Sequence, residues 1–397
     1  MHTLSLLQTW FERHTPFMHV SRTASLLAAV GALLRGNRLT LSGLGRSLAG
    51  SSRTKYKIKR IDRLLGNSHL HEERVSVYRA LAHWLLVGVD RPVIIVDWSD
   101  CEPGHEWLML TAALAQRGRA ISVYSEVHRL STYNSPRAHT RFLQTLYEVL
   151  PAGCRPIIIT DAGFRGPWFR AVEQLGWDWV GRVRNRIKVQ VASEAHWCYT
   201  TAIYRKATHR LQALGRCWLS HKQPDAAHLY LVKVSRRSRG RPVKRHGAGP
   251  TATRCRKLYK DPWLLATSLP PAQTNGSGVM KLYALRMQIE ETFRDLKGDR
   301  WSFGLALARS QSRARREVLL LIGALATLQL WLVGLAARAR GWMSHFQANT
   351  ERRRAVLSVT FLGREVLKHP SYSLTYADLA SALAWLQNEF RIQAEPT

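Results

Sequence analysis

Three carboxylates stand where divalent cations could be held against a phosphodiester. Asp97 closes the apolar run Pro92-Val93-Ile94-Ile95-Val96, and Asp161 closes Pro156-Ile157-Ile158-Ile159-Thr160. Glu290 lies in a helical stretch from Tyr283 to Lys297. Two acids at strand ends and one on a helix can meet at one edge of a sheet. There they could bind two metal ions, which clamp the attacking and leaving oxygens of an in-line displacement. An Asp after a strand also simply opens a turn, so either aspartate alone is a weak signal. Asp100 and Glu102 are the nearest competitors of Asp97. Asp97 is preferred because Asp100 is expected three residues beyond the strand end.

The helix is the sharper feature. At 3.6 residues per turn, Arg286, Glu290 and Lys297 fall within about 60° of Tyr283, and Arg294 shares that side. Glu291 and Asp295 point elsewhere. An acid flanked by a phenol and several cations suits a metal ion and a phosphate together. Ion pairs of the i,i+4 kind, such as Glu290 with Arg294, would account for the charges but not for the whole alignment.

Composition points to the same substrate. Lys and Arg total 59 against 27 Asp and Glu, a formal charge of +32 over 397 residues. Such an excess implies nucleic acid or an anionic membrane surface as partner. The length allows two or three domains with a sizeable core. The five cysteines are odd in number and lack C-x-x-C spacing, which argues against a disulfide framework or zinc cluster and fits a reducing cytoplasm. The first residues lack a signal-peptide pattern. Val318 to Ala337 carries no charge and is long enough to span a bilayer. Thr327 and Gln329 interrupt it, and arginines flank both ends, so a buried core helix is expected and no membrane partner.

The elements that must position these residues follow. Residues 1–90 read as helical. Nine Lys/Arg and one acid fall between Arg35 and Arg63. Thr40 or Ser42 caps a short helix. After a Gly-Ser-Ser break, a second helix runs from about Arg53 to Leu65. Its Ile58, Ile61, Leu64 and Leu65 share one face, opposite Lys55, Lys59, Arg60 and Arg63. The pair resembles a helix-turn-helix DNA reader, with a solvated basic surface helix as the plainer alternative. Strands are expected at 93–96, 107–113 and 121–127, then a helix at 135–150, a strand at 156–160, a helix at 164–174 and a strand at 177–183. Residues 186–262 form a β-rich insertion whose basic tail, Lys233 to Lys260, has eleven Lys/Arg and no acid. Its Gly and Pro content suggests a mobile loop. Lys260 to Thr267 reads as a return strand, and the chain is mostly helical from Ser277. The expected organisation is 1–90 helical and DNA-binding, 91–185 and 263–340 catalytic core, 186–262 insertion, and 341–397 C-terminal helices. The fold class is α/β, a ribonuclease H-like mixed sheet with a β-rich insertion, flanked by helical regions.

The spacing Tyr283-x2-Arg286-x3-Glu290-x6-Lys297 resembles that of bacterial insertion-sequence transposases of the DDE class. The particular likeness is to cut-and-paste enzymes that pass through a DNA hairpin, the insertion-sequence family numbered four. The blocks Asp97-Trp98-Ser99-Asp100, Asp161-Ala162-Gly163-Phe164 and Ile58 to Asn67 are similar to the branch that moves tetracycline-resistance transposons. The resemblance covers nearly the whole chain and is weakest at 233–260 and near the C-terminus. It implies that Asp97, Asp161 and Glu290 bind two Mg²⁺ ions, for which Mn²⁺ can substitute, and that Tyr283, Arg286 and Lys297 contact phosphates near the cleaved end. It also implies a stacking role for Trp263, which could equally be a core residue of its strand. The implied partners are double-stranded DNA, as element ends and target, and a second copy of the chain in a homodimer on two ends. The implied location is the bacterial cytoplasm, at the nucleoid. A DNA-binding regulator without catalysis, and a metal nuclease that never joins ends, share most of these features.

Overall fold

The computed structural model describes residues 4–184, 187–234, 261–299, 302–348, 350 and 356–394. It divides into two compact units. One holds Met1–Cys154 with Met287–Ala394, and the other holds Arg155–Arg286.

The first unit begins with five helices: α1 (Ser5–His14), α2 (Val20–Gly36), α3 (Leu41–Ser47), α4 (Thr54–Leu65) and α5 (Ser68–Leu85). Thr40, not Ser42, caps α3, its hydroxyl accepting from the Gly43 amide at 3.0 Å. The α4 pattern holds: Ile61, Leu64 and Leu65 are buried, while Lys55, Lys59, Arg60 and Arg63 are exposed. A Cβ on Gly45 would lie 2.6 Å from the Ile58 backbone, so glycine lets α3 and α4 approach closely.

Three antiparallel strands follow, in the order β3-β2-β1: β1 (Val93–Asp100), β2 (Trp107–Gln116) and β3 (Arg119–Arg129). Here one expectation changes. β1 does not stop at Val96; its pairing with β2 continues through Asp97↔Thr111, Ser99↔Met109 and Asp100↔Leu108. Asp97 is therefore inside the strand and Asp100 is its last residue. Backbone pairing carries the strand past the point where its side chains turn polar. α6 (Pro136–Val149) is capped by Ser135 and started by a proline whose missing N–H costs nothing there.

The second unit carries β4 (Ile157–Thr160), α7 (Gly166–Gln174), β5 (Asp178–Arg182), β6 (Lys188–Val191), β7 (Cys198–Tyr199), the short α8 (Thr200–Tyr204), β8 (Gln212–Leu219), β9 (Asp225–Val232), β10 (Trp263–Thr267) and α9 (Gly276–Ala284). β4 pairs with β5 in parallel. β10 lies antiparallel between β5 and β9, giving the order β4-β5-β10-β9-β8-β6-β7. The β-rich segment thus extends the β4–β5 pair through the expected return strand. The basic tail at 235–260 lies outside the described residues.

The chain returns to the first unit as α10 (Met287–Lys297), α11 (Arg313–Ala339), α12 (Met343–Phe346), α13 (Val359–Lys368) and α14 (Tyr376–Ala394). α11 is long and apolar enough to cross a membrane, yet 94% of its most apolar 18 residues are buried inside the protein. It packs on α2, α5, α13, α14 and β3. A Cβ on Gly334 would fall 1.9 Å from the Val359 carbonyl oxygen, so α11 and α13 touch backbone to backbone.

Candidate active site

The helix expected to run unbroken from Tyr283 to Lys297 is two helices. α9 ends at Ala284, and the amides of Leu285 and Arg286 bond back three residues, to Leu282 and Tyr283. That tighter turn offsets the rotation that a regular helix would give. Tyr283 and Arg286 therefore precede α10 rather than sharing one continuous helix with Glu290 and Lys297. The physical reason lies in what each helix grips. α9 packs on β4, β5 and β10. α10 is fixed to β2 and β3: Gln288 Oε1 accepts from the Gln116 amide at 2.9 Å, and Thr292 Oγ1 exchanges hydrogen bonds with the Ala120 backbone.

In the first unit, Asp97 is buried on β1 and accepts the Trp98 amide at 2.8 Å. Lys297, on α10, donates to Ser99 Oγ at 2.7 Å. Ser99 is two residues from Asp97 and so on the same side of the strand. Burial lowers the Lys297 pKa, and the charges of Asp100, Cys101 and Asp97 oppose that fall. Glu290 is exposed in the first turn of α10, about two turns before Lys297 and on its side. Arg294 stands one turn after Glu290 on the same helix. It pairs with Glu291, while Glu291 and Asp295 also hold Arg119 at 3.3 and 2.7 Å.

The competing acids have structural partners. Glu102 holds Arg316 at 2.6 Å, and Arg316 is almost wholly buried. Asp100 accepts from His105 at 2.8 Å. On the opposite side of β1, the Trp98 indole donates to His139 Nε2 at 3.1 Å. Burial, helped by the charge of His128, pushes the His139 pKa down to about 4, so the ring is neutral and accepts. His128 Nε2 in turn meets Glu126 at 2.5 Å, and the Tyr124 hydroxyl donates to the same carboxylate at 3.0 Å. Burial would raise the Glu126 pKa, but the hydrogen bond and charge of His128 take it below the usual carboxylate range.

In the second unit, Asp161 follows β4 and accepts the Gly163 amide at 2.7 Å in a turn. Tyr283 is buried and packs edge-to-face on the half-buried Trp263, with ring centroids 5.0 Å apart at 79°. Burial raises the Tyr283 pKa, opposed by the charges of Arg286, Arg182 and Arg184 and reinforced by Asp161. Tyr283, Arg286, Asp161 and Trp263 are thus brought into one neighbourhood. Arg182 and Arg184 were not anticipated. Arg182 donates to the carbonyls of Asp261 and Pro262 at 3.0 and 3.1 Å, bracing the chain just before Trp263. Arg182 at the end of β5 and Arg184 two residues beyond it were the available signal.

Carboxylate oxygens are hard donors suited to Mg²⁺ or Mn²⁺, and Asp97, Asp161 and Glu290 fit such ions in kind. Among the described residues, no group of three or more His, Cys, Asp or Glu side chains is gathered closely enough to hold a metal ion.

The transposase DDE domain family matches residues 90–327, more than half of the chain, and the matched span contains Asp97, Asp161, Glu290 and Lys297. The chain belongs to this family of DDE transposases. Such enzymes cut DNA with divalent metal ions. No curated protein matches the chain.

Proposed function

We propose that this transposase moves its element by cut and paste, through a hairpin at each DNA end. The observation that carries the reading is the family match over a span in which Asp97 and Lys297 share one side of β1. Asp97, Asp161 and Glu290 would hold two Mg²⁺ ions, which stabilise the attacking and leaving oxygens at phosphorus when bound. Lys297, Tyr283 and Arg286 would orient the phosphates of the cleaved end, and Arg294 would contact DNA further along it. Water first cuts one strand. The freed 3′-hydroxyl attacks the opposite strand and closes a hairpin, water reopens it, and the 3′-hydroxyl then attacks target DNA. Each step is an in-line displacement, so one arrangement of side chains serves all four. Trp263 would take the base that a tight hairpin forces out of the stack. The exposed Lys55, Lys59, Arg60 and Arg63 of α4 would bind the terminal inverted repeat. Phosphate contacts supply affinity and base contacts the sequence choice.

We further propose a homodimer on two ends, acting on the bacterial chromosome in the cytoplasm. Short inverted repeats in the DNA flanking the gene would define the substrate. The test is a time course of that end with Mg²⁺ and purified protein. Nicked, hairpin and joined products are expected in that order. Cutting without joining would replace this reading with a nuclease, and binding without cutting would replace it with a regulator.

A further inference from the structure

A cleft of about 900 Å³ opens in the first unit, lined by three arginines from separate segments. Arg38 comes from the turn between α2 and α3, Arg309 from the segment before α11, and Arg315 from the first turn of α11. Its floor is apolar: Leu41 is half-buried, with Leu65 and Leu319 buried beneath. Leu307 stands exposed at its edge. The volume far exceeds one phosphate, and the cleft holds three guanidinium groups rather than one.

Two of the arginines are loosely held. Arg38 pairs with Asp299 and Arg315 with Asp62, and these carboxylates are 59% and 50% exposed. Exposed pairs of this kind are weak, and a guanidinium has five donors, more than one carboxylate can occupy. Arg309 is exposed and has no ion pair among the described residues. The cleft also adjoins α4, through the apolar side of its last turn and through one ion pair from its polar side. Leu65 at the end of α4 lines it, and Asp62, between Lys59 and Arg63 on the same helix, is the partner of Arg315.

We infer that this cleft is a second DNA-binding surface, in which one strand of the duplex gripped by α4 lays its sugars on Leu41 and Leu307 and its phosphates on Arg309, Arg315 and Arg38. The inference rests on the proposed DNA binding by α4 and adds a surface to it. In the free protein, Asp62 and Asp299 occupy the arginines that phosphates take over on binding.

The test is fluorescence anisotropy with the full chain and a labelled mixed-sequence duplex, over a range of salt. Arg309→Glu should weaken binding by about ten-fold or more, the scale of one charge-assisted hydrogen bond. Arg309→Ala should lower the slope of log affinity against log salt by roughly 0.9 for each phosphate that is no longer neutralised. Asp62→Asn should tighten binding, by up to about five-fold, because it frees Arg315 from a weak pair. Glu12→Gln, an exposed acid elsewhere, makes the same change in net charge and should do less. If Asp62→Asn only matches Glu12→Gln, the effect is one of overall field and the cleft assignment falls. If Lys59→Ala weakens binding while the Arg309 variants do not, the cleft does not bind DNA, though α4 still does. If the Arg309 variants change self-association in sedimentation but not DNA affinity, the cleft receives a second copy of the chain and the inference is overturned. Failure of the unaltered protein to bind any duplex would overturn the DNA-binding reading itself.

Discussion

Trp263→Ala should slow hairpin formation while sparing the first nick. The side chain does two things that differ in size. Its edge-to-face packing on Tyr283, at 5.0 Å and 79°, is worth about 0.5–1.5 kcal/mol beyond the area it covers. As a platform for an unstacked base it would return about 1–3 kcal/mol, against an unstacking cost of a few kcal/mol. At roughly 1.4 kcal/mol per factor of ten, losing the platform slows the hairpin step by about 5- to 150-fold. Removing the support of Tyr283 instead affects every step that needs Tyr283, the nick included. The two contributions separate in a ratio. A denaturing gel that resolves nicked, hairpin and blunt ends over time should show nicked product accumulating in Trp263→Ala. Trp263→Phe keeps an aromatic face and should be milder. Tyr283→Phe keeps the ring against Trp263 and should leave the nick-to-hairpin ratio near that of the unaltered protein. A normal ratio in Trp263→Ala, even with reduced total activity, would make Trp263 a packing residue and refute the stacking role.

Glu290→Ala should abolish cleavage and leave binding to end DNA largely intact, whereas Glu291→Ala should lose only surface pairs with Arg119 and Arg294, worth at most about 1 kcal/mol each; the reverse pattern in a cleavage assay would show that the wrong glutamate was chosen. Gly334→Ala drives a Cβ to within 1.9 Å of the Val359 carbonyl oxygen, so thermal unfolding should show a loss of about 1–3 kcal/mol or more; an unchanged midpoint would mean that α11 and α13 separate freely. The Arg340 guanidinium and the Thr375 amide hold the Asp378 pKa down to about 2, from a usual 3.8. Because the folded value is the lower one, this contribution is complete above about pH 4 and is lost as pH falls toward 2. Asp378→Asn should therefore reduce stability at pH 6 and flatten its decline between pH 4 and 2, read by denaturant titration; an identical acid profile would refute the linkage.

Local chemistry made much of this legible. A hydroxyl cap predicted α3, an apolar helical face predicted α4, and the apolar runs before Asp97 and Asp161 predicted β1 and β4. Three things were not. The period of 3.6 continues through Leu285 and Arg286 even though the backbone tightens there, because side-chain pattern does not record whether an amide bonds back three residues or four. The end of β1 was misplaced because Trp98, Ser99 and Asp100 look like a turn, yet their backbones pair with Trp107's neighbours Leu108 to Leu110. Glu102 competes with Asp97 in the sequence because its partner Arg316 is over two hundred residues away along the chain.

The two sides of β1 carry different burdens, and both bear on the catalytic role proposed for Asp97. Asp97 and Ser99 face α10, where Lys297 donates to Ser99. Trp98 faces the other way, onto His139, His128 and Tyr133, with ring centroids 5.9, 5.1 and 5.5 Å away. The Trp98 amide is also the donor that Asp97 accepts, so holding the indole holds the backbone that orients the carboxylate. That hold depends on His139 remaining an acceptor. With a pKa of about 4 it stays neutral across the range in which carboxylates bind metal. Glu126, tied to His128 and Tyr124, has its pKa held below the usual carboxylate range. His139→Gln, which can still accept from the indole, should preserve cleavage better than His139→Leu, which fills the space without an acceptor. Equal activity in the two would show that packing alone keeps Asp97 in place.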